Sequence, residues 1–209
     1  MNPVHEPVAG VRQLVLASSS RYRRDLLERY GLAFKWASPD IDERRLSGES
    51  PRALVRRLGE AKAAAVAGDL VIGSDQIAVV GDEIFGKPHT VAAAEQQLRA
   101  LSGREVEFLT SVAVRSGESG TCVSEIVPVV VAFRHLSPAD IATYVAIERP
   151  LDCAGGFKCE GLGITLFERI ESDDPTALTG LPLIALARLL RRQGFDVLAE
   201  LSAQRGDVR

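Results

Sequence analysis

Apolar and polar positions along this chain alternate between strand-like and helix-like periods. QLVLAS (13–18) is a short apolar run of the buried-strand kind. SRYRRDLLERYG follows, with Tyr22, Leu26, Leu27 and Tyr30 on one helical face, Ser20 placed to cap its start and Gly31 its end. AFKWAS reads as a second strand and PDIDERRLSGESP as polar loop. PRALVRRLGEAKAAAVAG (51–68) reads as a helix opened by a proline, with Gly59 a mild interruption. DLVIGSD and QIAVV read as strands, which puts Asp75 at a strand end, and a turn at Gly81-Asp82 leads to a further short strand.

The second half continues with a helix, TVAAAEQQLRALSG, that Thr90 can cap. Two long strands, EVEFLTSVAVRS and TCVSEIVPVVVAFRH, flank the hairpin signal GESG. SPADIATYVAIE is a helix capped by Ser137, and the glycine-rich CAGGFKCEGLG leads into a strand, ITLFERI. LPLIALARLLRRQG is a closing helix ended by Gly194. Residues 1–11 read as a loose leader, 12–195 as one domain and 196–209 as a patternless tail. Helix–strand alternation followed by a long hairpin predicts an α/β protein with a mixed sheet.

Composition narrows the function. The chain has 209 residues, 46% hydrophobic and 25% charged, and a net charge of −3 that argues against coating nucleic acid while allowing a local basic pocket. Cys122, Cys153 and Cys159 lack metal-ligand spacing and read as reduced thiols of a cytoplasmic protein. VPVVVAF, the longest apolar stretch, falls far short of a membrane span.

Several segments carry chemistry. In LASSSRYRR a strand meets a helix start, where unpaired backbone N–H groups and the helix dipole suit a phosphate. Ser18 and Ser20 add hydroxyls. Arg23 adds a two-pronged donor with no carboxylate four residues on, whereas Arg21–Asp25 and Arg24–Glu28 can pair on the helix surface. Asp40, Asp42 and Glu43 in PDIDERR are either a solvated loop or hard oxygen ligands of the kind Mg²⁺ takes beside a phosphate. Lys62 is either an exposed lysine or a cation entering the same cleft. In GSDQIAVVGDEIFGKP the turn returns Lys87 towards Asp75, giving a structural ion pair or a catalytic one. No Walker A sequence is present, which argues against a P-loop enzyme. Glycines around Glu160 either turn a corner or let backbone approach a flat base.

Taken in order, LASSSRYRRDLL, PDIDE, EAKAAA, GSDQ, GKP, CAGGFKCEGLGITLFERI and GLPLIAL resemble the Maf family of nucleoside triphosphate pyrophosphatases over roughly residues 13–195. The resemblance implies a Maf-like (ITPase-like) fold, a twisted mixed sheet flanked by helices with a central cleft between two lobes. It implies Asp75 as the catalytic acceptor, with Arg23, Glu43, Lys62 and Lys87 beside it, and Tyr22, Gln76 and Glu160 as positions tied to base choice. The segment around Glu160 looks most like the branch that hydrolyses 7-methyl-GTP, although Tyr22 stands where that branch often has tryptophan.

The implied reaction is water attack on the α-phosphorus assisted by Mg²⁺ or Mn²⁺ held by Glu43 and Asp75, releasing pyrophosphate. Ser18 to Ser20 lack a partner base, so no covalent nucleophile is expected. The expected partner is a small nucleoside triphosphate, with no nucleic acid and no membrane, and a homodimer is the assembly the resemblance implies. Two alternatives stay open: a dTTP/UTP pyrophosphatase of the same family, and a non-catalytic nucleotide-binding regulator of cell division.

Overall fold

The structure, a computed structural model, describes residues 12–206. The leader expected over 1–11 and the last three residues of the expected tail lie outside that range. β1 (Leu14–Ala17) is buried along its whole length, as an apolar run with no alternation should be when both sheet faces are covered. It feeds α1 (Arg21–Glu28), β2 (Phe34–Ala37) and α2 (Pro51–Ala64). β3 (Leu70–Val80), β4 (Glu83–Phe85) and α3 (Val91–Leu101) follow, then the hairpin of β5 (Glu105–Ser116) and β6 (Cys122–Phe133). α4 (Pro138–Glu148), β7 (Phe167–Glu171), α5 (Leu183–Arg192) and α6 (Val197–Gly206) complete the order.

Four helix starts are fixed by sequence. Ser20, Ser50, Thr90 and Ser137 each accept from the backbone N–H three residues on, satisfying a donor that the helix itself leaves unpaired. Among the described residues, six helices flank a seven-stranded open sheet ordered β2-β1-β3-β5-β6-β7, with β4 paired to β3. β1 runs parallel to β2 and β3, and every other pairing is antiparallel, the mixed sheet expected. The larger core gathers Leu26, Phe108, Phe133, Leu186 and Leu189; α2 covers the opposite face through Leu54, Val55 and Leu58.

Three expectations need correction. β3 is one unbroken strand, so Asp75 sits in its middle and not at its end; the polar Ser-Asp-Gln step interrupts the apolar run without interrupting the ladder to β5, which runs from Leu70↔Ser116 to Val79↔Glu107. The segment expected to be a patternless tail folds as α6, where Val197 and Leu201 pack on the core while Leu198 stays exposed, too thin an apolar stripe to read from sequence. The strand expected over ITLFERI begins only at Phe167, after a 3-10 turn over Leu162–Leu166.

Gly59 also does more than interrupt α2. A Cβ on it would lie 2.4 Å from Ser111 Oγ, and one on Gly73 would lie 2.2 Å from the Gly59 carbonyl oxygen. Both glycines let α2 lie directly on β3 and β5. That close seat carries Lys62, one turn further along the helix, over the sheet.

Candidate active site

β1 pairs with β3 as far as Ala17↔Gly73, where the chain turns through Ser18 towards α1. β4 pairs with the same side of β3 only from Ala78 onward. Between them, Ser74 to Ile77 have no strand partner on that edge among the described residues. A cleft of about 1010 Å³ opens at this bare edge. The end of the short parallel ladder, not the end of β3, makes the opening at which ligands of α/β sheets gather.

Side chains of a strand alternate between faces. Asp75 turns towards α2 and is 7% exposed, a position where a lone carboxylate is costly. Lys62 answers it: its Nζ lies 2.7 Å from Asp75 Oδ1 and 2.7 Å from Glu43 Oε1. Asp75 is therefore paired with Lys62; of the two readings left open for Lys87, the structural ion pair with Asp75 is not formed. Lys87 lines the same cleft. Asp75 Oδ2 accepts no hydrogen bond from any described residue.

Burial pushes the Glu43 carboxyl up, but its hydrogen bond from Lys62 and the charges of Lys62, Lys87 and Arg23 outweigh burial and leave it below the ordinary carboxylate range. Asp42, expected beside it as a second acidic candidate, is instead bound by Arg44 at 2.7 Å on the surface.

Arg23 reaches the cleft from the other face of β3. Its Nε donates to the Gly180 carbonyl at 2.8 Å and its Nη1 to Ser18 Oγ at 3.4 Å. Ser18 Oγ also accepts from the Ser20 N–H, and Ser20 caps α1, so the serine-rich turn is ordered around this arginine. Burial holds the proton affinity of Arg23 below its ordinary value, and the charges of Asp75 and Glu43 offset this only in part. Arg21 and Arg24 make neither of the surface pairs expected of them: Arg21 lies 5.0 Å from the Tyr22 ring centroid and Arg24 4.1 Å from that of Trp36.

Tyr22, Gln76 and Glu160 all line the cleft. Burial, followed by the charges of Cys153 and Asp152, pushes the Tyr22 phenol up to about 12, so its ring stays neutral at ordinary pH. Glu160 is exposed, and its Oε2 accepts from Cys159 Sγ at 3.1 Å. Gln76 spends its amide nitrogen on Thr110 Oγ1 and on the carbonyls of Ala177 and Leu178, all within 3.0 Å.

Sequence reasoning missed Ser74, Thr110, Gly180 and Asp174. Asp174, 2% exposed, accepts from the Ile184 and Ala185 N–H groups and so caps α5, whose own leading residue, Pro182, offers no side-chain oxygen. The usable signal was a run of polar residues at positions that period and neighbours mark as buried.

Glu43 and Asp75 are the two carboxylates of the cleft that meet at Lys62; among the described residues no group of three or more His, Cys, Asp or Glu side chains forms a metal cluster. No helix among the described residues is long and apolar enough to cross a membrane.

Comparison with known proteins places the chain among relatives. The family described as "Maf-like protein" matches residues 13–193. Proteins named 7-methyl-GTP pyrophosphatase from Pseudomonas putida and Pseudomonas aeruginosa are each 53% identical over 188 residues, covering 88% of this chain and 98% of theirs. One of the same name from Aromatoleum aromaticum is 55% identical over 187 residues, covering 88% of this chain and 96% of its own.

Proposed function

This chain belongs to the Maf family, and on that premise we propose that it hydrolyses 7-methyl-GTP to the nucleoside monophosphate and pyrophosphate. The observation that carries the chemistry is convergence: Asp75, Lys62, Arg23, Lys87 and Glu43 line one cleft although they come from five separate segments. The substrate rests on the relatives' names together with the Tyr22–Glu160 end of that cleft.

The triphosphate lies along the turn at Ser18–Ser20, where Arg23 and Lys87 neutralise its oxygens. Asp75 holds Lys62 with Oδ1, so Oδ2 is the oxygen that orients the attacking water and takes its proton. Lys62 keeps the carboxylate fixed in direction and draws Glu43 against it. Attack in line on the α-phosphorus breaks the bond to the bridging oxygen, and pyrophosphate carries the electron pair away.

A divalent cation, Mg²⁺ or Mn²⁺, fits the donor set. Glu43 and Asp75, hard-oxygen donors lining the same cleft, are the residues that would hold it. When bound, it adds charge stabilisation at the phosphates and acidifies bound water.

At the base end, a guanine presents N–H donors on its pairing edge that the Glu160 carboxylate accepts together. Methylation at N7 makes the ring cationic, which favours both that carboxylate and the neutral face of Tyr22. The test follows pyrophosphate release with Mg²⁺ or Mn²⁺ from 7-methyl-GTP beside GTP, UTP and dTTP. Preference for 7-methyl-GTP supports the reading. Preference for UTP or dTTP moves the chain to the other branch, and tight binding without release makes it a regulator.

A further inference from the structure

We propose that Ser74 is a positioning residue that aims Arg23 at the triphosphate through the carbonyl of Gly180. The inference rests on the phosphate-binding reading of the cleft given above.

Ser74 is wholly buried in β3 and points away from the Asp75 side of the sheet. Its Oγ donates to the Gly180 carbonyl oxygen at 2.8 Å, across 106 residues of chain. The same oxygen accepts from Arg23 Nε, also at 2.8 Å. A carbonyl oxygen has two lone pairs, and here each has one donor. Ser74 alone would satisfy the carbonyl, so its need for a partner does not explain why the arginine is there. Its effect on the arginine is specific: Nε is pinned, which leaves the two terminal nitrogens of the guanidinium to reach Ser18 and the cleft.

The anchor itself is stiff. Gln76 Nε2 holds the carbonyls of Ala177 and Leu178, and Thr110 Oγ1 donates to Ala177 O at 3.0 Å. Side chains of β3 and β5 thus stitch the segment 177–180 to the sheet through its carbonyls. Gly180 has φ +107, a conformation open chiefly to glycine, and a Cβ there would stand 3.4 Å from Arg23 Nε. A flexible arginine loses much freedom when it grips phosphate; pinning it beforehand removes part of that cost.

A purely structural serine would affect folding but not interact with Arg23 in function. A double-mutant cycle separates the two. Ser74→Ala is measured with Arg23 intact and in an Arg23→Lys background, which lacks the Nε donor. The readouts are affinity for inorganic pyrophosphate by calorimetry and kcat with 7-methyl-GTP. Ser74→Ala should weaken pyrophosphate binding roughly tenfold with Arg23 present, the upper end of what a neutral hydrogen bond contributes, and change it by less than about twofold in the Arg23→Lys background. Equal losses in both backgrounds overturn the proposal. If Ser74→Ala does not fold, Ser74→Cys, which keeps the volume but donates weakly, enters the same cycle. Coupled pyrophosphate binding in a protein that cuts no nucleotide would uphold the aiming role and sink the hydrolase reading.

Discussion

The Lys62 ammonium stands 2.7 Å from the Asp75 carboxylate, with the two side chains only 9% and 10% exposed. Deleting one partner of such a pair leaves an uncompensated buried charge, which costs about 3–5 kcal/mol. Lys62→Met should therefore lower unfolding free energy by that order in urea melts. Combining it with Asp75→Asn should recover part of the loss, because neither charge remains in the pair. If the double variant is no more stable than the sum of the single losses predicts, the pair is not coupled as described.

Asp75→Asn alone should fold, since Lys62 keeps Glu43 as a partner. Its turnover of 7-methyl-GTP should fall by roughly 10²-fold or more, the scale of losing a key electrostatic group. Near-normal pyrophosphate release by this variant removes Asp75 from the mechanism.

How much of this was legible in the sequence depends on the distance over which each feature is encoded. Helix caps at Ser20, Thr90 and Ser137 are local, and the structure has them where the pattern put them. The residues expected in the site line one cleft, yet which lysine pairs with Asp75 is not legible in the sequence. Lys87 is near Asp75 along a hairpin, whereas Lys62 approaches only because Gly59 and Gly73 let a helix lie on the sheet. That contact has no signature at either glycine beyond the missing side chain. Ser74 and Gly180 are likewise unreadable as partners, since a hydrogen bond to a backbone carbonyl leaves no trace in the accepting residue's identity.

The helix–sheet contact gives a stability prediction. Gly73→Ala places a methyl against backbone, 2.2 Å from the Gly59 oxygen and 2.6 Å from the Ala63 nitrogen, with no side chain able to move aside. Overpacking of this kind costs about 1–3 kcal/mol. Gly86→Ala, with nothing within 4 Å of its Cβ, is the control and should melt close to the parent. Equal melting temperatures for the two variants would place α2 further from β3 than described.

Glu43 gives a pH prediction. Its carboxyl is held below the ordinary range in the folded protein, with burial opposing and Lys62, Lys87 and Arg23 prevailing. A depressed folded value means the stabilisation is present above the unfolded pKa of about 4.3 and fades as pH falls through the folded one. The stability difference between parent and Glu43→Gln should therefore be largest near neutrality and shrink in urea melts taken at progressively lower pH below that range. A difference that grows on acidification has the wrong sign for this arrangement.

Base choice is tested most directly at Glu160. Its carboxylate is exposed at the cleft and, among the described residues, accepts only from the weak Cys159 thiol donor at 3.1 Å, so it is free to turn to a ligand. Glu160→Gln keeps the length and shape of the side chain. It removes the charge and replaces one acceptor with a donor, which faces the N–H groups of a guanine edge unfavourably. GTP loses the hydrogen-bonding match, and 7-methyl-GTP loses both that match and the attraction of its cationic ring. The ratio of kcat/KM for 7-methyl-GTP over GTP should consequently fall by roughly tenfold, the value of a charge-assisted contact, with kcat for the better substrate changed less. Because Glu160 is exposed, melting temperature should stay near the parent's. Unchanged relative rates across the two nucleotides would mean that the carboxylate does not read the base, and the choice would then rest on Tyr22 and the loop that Gln76 holds.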